Sequence, residues 1–483
     1  MTPHVPGAGR AGRISGGEDR WSLVVVAGVL AFVAMLDMNI VNVALADLAD
    51  GLHVSTATAQ WAVLGYQLPV VALLLPVGRW LDGVGLRAAV LTATCGFGLC
   101  SALAAAAPWM GWLIGARLLQ GACGAVLFVL MPVLAMRAVR PESRGRAMSV
   151  PATLGPLGAV IGPAVGGLLL DHWGWRSVFL VKIPFCVLAL VMAWRAMPRD
   201  GGLRRPDPRW VADALLVASG VAVLLLALTL AAGRPSWLVL AGAAVPMLWW
   251  WLRGPGGRPA AGLLRSAGLF RAHGAVLALA AGFAAMHYVV ALHLQRDDGV
   301  SATTTGLTVL AFPLGMGLAG PLGGRLADLP QALGSARRAG GTPIGARPVA
   351  VTGAALTASG LLLLVPLGDG WSPLDVAWRL ALAGVGMGLN GGPTQALVIG
   401  AAPPDRAATV GSTVQFARSL GFALGPALAT AAWGLSGPGA GVRAGLALAA
   451  TAACLAVPLL ALTGRGAGPL PEKTTDAAAA AHD

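Results

Sequence analysis

The chain predicts an all-α polytopic membrane protein of fourteen transmembrane helices, two bundles of six with two further helices inserted between them. Three observations carry this. Of 483 residues, 57% are hydrophobic and 11% charged, and the mean hydropathy is +0.75, outside the range of soluble domains. Apolar stretches close to the ~20 residues needed to cross about 30 Å of hydrocarbon recur from end to end. The basic residues sit between these stretches, and unevenly on the two sides.

The spans fall at 23–45, 58–80, 88–107, 110–136, 147–170, 178–197, 211–231, 236–252, 274–294, 305–327, 349–367, 376–400, 408–432 and 443–463. With both termini cytoplasmic, 25 of the 33 Lys and Arg fall on the cytoplasmic side. Another 6 lie near the outer side, and 2, Arg117 and Arg418, are in mid-span. This asymmetry sets the orientation, in a cytoplasmic (inner) membrane. The net charge of +13 is therefore topological and implies no nucleic-acid partner. Residues 1–22 form a cytoplasmic tail whose Arg10, Arg13 and Arg20 precede an apolar run without a small-residue cleavage site, so the first helix is retained. Residues 464–483 form the second tail. Cys95, Cys100, Cys123, Cys186 and Cys454 all fall within spans, without metal-ligand spacing, and read as small packing residues. The 16 Trp read mainly as interface anchors.

Two basic stretches divide the chain. Pro198 to Arg209 ends the first six spans and Arg253 to Arg271 precedes the last six. The expected units are an N-terminal bundle over 23–197, a linker with two extra spans over 198–273, and a C-terminal bundle over 274–463. A third basic loop, Leu329 to Pro348, is expected to be mobile. The bundles repeat each other weakly. Gly78-Arg79-Trp80-Leu81-Asp82 corresponds to Gly324-Arg325-Leu326-Ala327-Asp328, and Pro141-Glu142-Ser143-Arg144 to Pro403-Pro404-Asp405-Arg406. A Gly-Pro pair follows each of the latter, at Gly162-Pro163 and Gly425-Pro426. Such duplication, with a site between the halves, is the layout of a secondary transporter.

Asp37 lies inside the first apolar span, about 9 residues from its outer end and hence roughly 13 Å deep. Arg117, in a span running the other way, is roughly 12 Å deep. A carboxylate in hydrocarbon is costly, and one set against a cation can load and release a proton, whereas Arg stays charged. The other reading is that the pair only pins helices together. Arg418, near mid-membrane with Gln415 on the same face, has no intramembrane acid in the second half; it faces either a hydrated cavity or backbone carbonyls. Further cavity candidates are Asn39, Asn42, Tyr66, Gln67, Gln120, His287, Asn390 and Gln395. Gly158, Gly162, Pro163, Gly166 and Gly167, echoed by Gly425 and Pro426, form a small-residue run suited to close helix approach or to bending. No phosphate-binding G-x-x-x-x-G-K-[ST] loop and no H-E-x-x-H occurs, so neither an ATPase nor a zinc enzyme is indicated, and no metal or cofactor is called for.

These motifs together resemble the major facilitator superfamily, and within it the 14-span drug:proton antiporters. Gly78-Arg79-Trp80-Leu81-Asp82-Gly83-Val84-Gly85-Leu86-Arg87 is similar to the family's G-x-L-a-D-r-x-G-r-r loop, departing at Trp80, Gly83 and Leu86. Arg117-Leu118-Leu119-Gln120-Gly121 is similar to its R-x-x-q-G motif, and Gly158 to Gly167 to the g-x-x-x-G-P-x-x-G-G run of exporters. Asp37, Asn42, Ala44 and Leu45 resemble the l-D-x-t-i-v-N-v-A-L-P element, with Ala46 in place of proline. The resemblance implies export of bulky amphipathic or cationic compounds such as drugs, dyes or antibiotics, driven by a proton gradient through alternating access. Asp37 and Arg117 would couple protons. Gly78, Arg79, Asp82, Gly85, Arg87, Arg144 and Asp328 would gate the cytoplasmic end. The expected partners are a small-molecule substrate, protons and the lipid bilayer; an accessory envelope protein is left open. The rival readings are a metabolite exporter or importer on the same fold, or a transport-inactive sensor or scaffold.

Overall fold

A computed structural model describes residues 19–463 apart from 60, 200–201, 204–208, 232–234, 255–256, 259–260, 263–264, 266–268, 333–344, 369, 402–405 and 437–439. Both chain ends beyond 19–463, most of the Leu329 to Pro348 loop, Pro403-Pro404-Asp405 and parts of the two basic stretches lie outside the described residues.

The described residues are helical, without strands. The N-terminal half contains α1 (Trp21–Val43), α2 (Trp61–Leu81), α3 (Leu86–Ala105), α4 (Met110–Ala138), α5 (Arg144–Trp173) and α6 (Ile183–Ala196), the last led by a helical turn at Ser177–Leu180. Then come α7 (Arg209–Ala231) and α8 (Val239–Arg253). The C-terminal half contains α9 (Leu269–Leu292), α10 (Ala302–Ala332), α11 (Ala346–Leu362), α12 (Pro373–Gly400), α13 (Ala407–Leu435) and α14 (Gly441–Ala461). Among the described residues, nine helices are long and apolar enough to cross a membrane: α1 to α5, α6 with its leading turn, α9, α10 and α14. The remaining five are shorter or less apolar over those residues. Helix starts follow local chemistry. At α12, Ser372 and Asp375 form a reciprocal capping box, with Pro373 at the first helical position.

Each half has its own apolar core. The duplication is visible in the packing, because α1 lies along α5 as α9 lies along α13, and α2 along α4 as α10 along α12. Lipid supplies no hydrophobic drive between helices, so these contacts depend on backbones coming close over small residues. A side chain at Gly158 would meet the Phe32 carbonyl oxygen of α1, and one at Gly425 the Ala281 carbonyl oxygen of α9. Gly162 and Gly166 also lie against α1, at Ile40. A Cβ added at Gly167 would meet nothing within 4 Å, so there the close-packing expectation does not hold; Pro163, expected to bend the span, is exposed. The halves meet where α5 packs on α10 and α12, and where α13 packs on α2 and α4. The inserted α7 lies against α2 and α13, with Val217, Val221 and Trp251 of α8 packed on Leu75. The five cysteines are free, Cys100 and Cys186 being buried.

Candidate functional site

Asp37, on α1, is fully buried at 0% exposure, and so are the three side chains that touch its carboxylate. Arg117 Nη1 of α4 donates to both carboxylate oxygens, at 3.0 and 2.7 Å. Gln120, one turn further along α4, accepts from the same Nη1 at 2.8 Å and extends its amide toward Asp37 Oδ1 at 3.5 Å. The third is Lys182, whose Nζ donates to Asp37 Oδ1 in a very short contact. Arg117 is held further by Nε donating to the Ala62 carbonyl at 2.7 Å and by lying over the Tyr66 ring, 4.6 Å from its centroid. The Lys182 ammonium lies 4.9 Å from the centroid of Phe179.

Asp37 and Arg117, expected at one depth, meet as a pair, whereas Lys182, which joins them, is not singled out by the sequence. The reason is its position at the mouth of the sixth span, where hydropathy reads a Lys as interfacial. The available signal was the apolar run Val178-Phe179-Leu180-Val181 before it and Ile183-Pro184-Phe185 after it. A Lys inside such a run needs an acid, and Asp37 supplies it.

Beside the cluster lies a cavity of about 440 Å³ between the halves. Met35, Met38 and Gln67 face it from α1 and α2, Val221 from α7, and Asn390 and Arg418 from α12 and α13. Asp37 itself does not line it. Of the expected cavity residues, Gln67, Asn390 and Arg418 are therefore in place. Tyr66 and Gln120 belong to the Asp37 cluster instead. Asn39 and Asn42 turn back to the carbonyls of Met35 and Met38 on their own helix, at 2.9 and 3.4 Å. Gln395 is buried away from the cavity, and His287 packs on Phe283, 5.1 Å between ring centroids, without lining it. A lone polar residue in an apolar helix does not announce which face it occupies, which is why these expectations scattered.

At one end of the bundle the halves are latched twice, in a crossed pattern. The Asp82 carboxylate, just past α2, accepts from the first backbone N–H groups of α13: Ala408 at 2.9 Å and Thr409 at 3.1 Å, plus the Thr409 hydroxyl at 2.5 Å. Asp328, near the end of α10, accepts from the first N–H groups of α5: Gly145 at 2.9 Å and Arg146 at 3.0 Å. A carboxylate at a helix N-terminus meets unpaired donors and the positive end of the helix dipole. Burial pushes the Asp82 carboxyl above the ordinary carboxylate value, although the bonds from Thr409 and Ala408 pull it down. Gly78 and Gly324 let the backbones approach at each latch: a Cβ would stand 2.9 Å from the Ala408 oxygen at one and 2.7 Å from the Gly145 oxygen at the other. The other expected gate residues bond elsewhere. Arg79 pairs with Asp213 of α7 at 3.3 Å, Arg87 donates to the Trp194 carbonyl of α6 at 3.0 Å, and Gly85 caps α3. Arg144 opens α5 with its buried Nε unpartnered.

Two latched, pseudo-symmetric helical halves around a central cavity, with a buried ion cluster beside it, define a membrane transporter. The sequence profile of the Major Facilitator Superfamily matches residues 27–252 and 274–481, and the chain belongs to that superfamily. It is similar to the methyl viologen resistance protein SmvA of Salmonella typhimurium, 29% identical over 422 residues covering 85% of this chain and 81% of that one. It is similar to the probable actinorhodin transporter of Streptomyces coelicolor, 30% identical over 86% of this chain and 73% of that one. The multidrug resistance protein Stp of Mycobacterium tuberculosis is 28% identical over 85% of this chain and 76% of its own length. Among solved structures, the human organic anion transporter MFSD10 (TETRAN) shares the fold, with a TM-score of 0.63 at 17% identity, covering 91% of this chain and 99% of that one.

Proposed function

We propose that the protein is a proton-coupled exporter of bulky amphipathic compounds that works by alternating access. The observation that carries this is the Asp37–Arg117–Lys182 cluster, fully buried next to a cavity lined by both halves. Relatives named for methyl viologen resistance, actinorhodin transport and multidrug resistance support export of organic compounds.

In this reading the exchangeable proton belongs to Asp37 and Lys182 together. Arg117 stays charged, whereas a buried Lys can become neutral. With all three groups ionised the cluster carries one positive charge in excess; protonating Asp37 as well would leave two cations in hydrocarbon without an anion. Giving up the proton of the pair leaves one anion and one cation, the least costly state. Asp82 and Asp328 hold the end that the charge asymmetry assigns to the cytoplasm, so the arrangement corresponds to a state closed toward the cytoplasm. Proton exchange then alters the balance between this state and one in which both latches are open.

The test is substrate-driven proton flux in liposomes holding the purified protein, screened over a panel of amphipathic compounds at an imposed pH gradient. Native protein should exchange protons for at least one compound, and Lys182→Met and Asp37→Asn/Lys182→Met should not. Uphill transport by both variants at the native rate would remove the cluster from the mechanism.

A further inference from the structure

We infer that the cavity selects amphipathic aromatic anions, with Arg418 as the group that binds their acid; this rests on the transport reading above. Arg418 is the only charged residue that lines the cavity among those described. It makes no hydrogen bond or ion pair with any described residue. An arginine at this depth cannot escape its charge by losing a proton, so its cost persists until an anion arrives. A cationic ligand would meet a like charge and find no carboxylate among the described residues of the lining.

Neighbouring groups complete a recognition surface. Gln415, one turn before Arg418 on α13, has its side-chain oxygen unpartnered, as does the Thr394 hydroxyl on α12, and both residues line the cavity. An unpaired acceptor one turn from the guanidinium and a free hydroxyl in the same cavity lining suit a ligand that carries a hydrogen-bond donor as well as its acidic group. One turn after Arg418, Phe422 lies 5.8 Å from Phe283, which lies 4.8 Å from Phe312, and all three rings face the cavity. They offer a platform for a flat aromatic body. Met35, Met38, Met131, Met316 and Met387 form much of the remaining wall. Thioether side chains adapt to varied shapes, so the acid is recognised sharply and the apolar body loosely.

The test uses two probes of nearly equal shape and opposite charge, anthracene-9-carboxylate and 9-anthracenylmethylammonium, with native protein in nanodiscs and binding read by fluorescence. The carboxylate should bind at least about tenfold more tightly, the scale of one charge-assisted contact. Arg418→Gln should lose about that factor for the carboxylate and not for the ammonium, while Arg418→Lys, which keeps the charge but not the fork, should fall between. Equal or tighter binding of the ammonium, binding of neither probe, or an Arg418→Gln variant that keeps native carboxylate affinity would overturn the assignment. The native comparison stands even if the variants fail to fold. In liposomes, proton exchange driven by the ammonium but not the carboxylate overturns the anion assignment and leaves the transport reading intact. Proton exchange driven by no compound of the wider panel removes the transport reading itself.

Discussion

Asparagine at position 37 is the obvious isosteric probe of a proton carrier, yet the geometry predicts that it disables the fold before it reports on coupling. The carboxylate accepts two bonds from Arg117 and one from Lys182, all at 0% exposure. The amide keeps one acceptor and turns the other oxygen into a donor facing a cation. It also removes the only negative charge between two positive ones. Removing one partner of a buried ion pair typically costs about 3–5 kcal/mol, mainly through the charge left behind. Without the carboxylate Lys182 must either stay charged unpaired or give up its proton at a cost; adding Lys182→Met removes that cost and leaves Arg117 to the Gln120 and Ala62 oxygens. Asp37→Asn should therefore lose most of that 3–5 kcal/mol. The double variant should recover at least about half, a non-additivity on the order of 2 kcal/mol. The assay is unfolding of purified protein in one detergent, followed by tryptophan fluorescence and monodispersity across the four-variant cycle. An Asp37→Asn variant as stable as native protein, or a double variant no better than the single, would refute the charge argument.

The crossed latches predict that Asp82→Asn and Asp328→Asn each increase modification of cysteines placed along the cytoplasmic end of the cavity, in a background without the native thiols, and that the pair together increases it more than either alone. Each variant loses charge-assisted contacts worth on the order of 1.5–3 kcal/mol, enough for a tenfold shift between states of similar energy; unchanged accessibility in the double variant would confine both residues to topology. Gly158→Ala should reduce folded yield because its methyl meets the Phe32 carbonyl, whereas Gly167→Ala, with nothing within 4 Å, should leave yield and activity unchanged, and equal losses would show that general helix context decides both. Arg79→Ala should change stability by less than about 1 kcal/mol in thermal unfolding, since Arg79 reaches solvent although its partner Asp213 is half-buried, and a larger loss would mark the α2–α7 contact as structural.

What could be read in the sequence was what repeats or what is costly. Membrane spans declare themselves by length, and Asp37 and Arg117 by expense, since a charge in hydrocarbon has few innocent explanations. Asp82 and Asp328 were found because duplication wrote the same Gly-Arg-x-x-Asp ending twice. Their actual partners were not legible: each caps the helix that follows the second repeated loop of the opposite half, and one-dimensional correspondence cannot show that the pairing crosses. Lys182 was missed because hydropathy treats a basic residue at a span mouth as topology. Polar cavity candidates scattered because facing depends on helix rotation, set by packing of residues such as Gly158 and Gly425 rather than by the polar residue itself.

The two charged features do not share a half or a surface. The ion cluster is built from α1, α4 and the start of α6, and Arg418 stands on α13. The second half has no twin of Asp37, and the position on α5 that corresponds to Arg418 falls at Gly155-Pro156, which also line the cavity. Duplication thus preserved the latches and let the interior of each half diverge; in the proposed cycle one half titrates and the other recognises substrate. Asp37 is sealed from the cavity while Met35 and Met38, on the same helix, face it. Proton and substrate then have no common group for which to compete. Coupling in the proposed cycle has to pass through an element with two arrangements that both sites bias. The element that touches both is the interface of the halves itself: α1 packs along α5, whose first N–H groups hold Asp328, and α13, which carries Arg418, begins at Asp82. A change at either site therefore reaches a latch through a single helix, without a relay across the cavity.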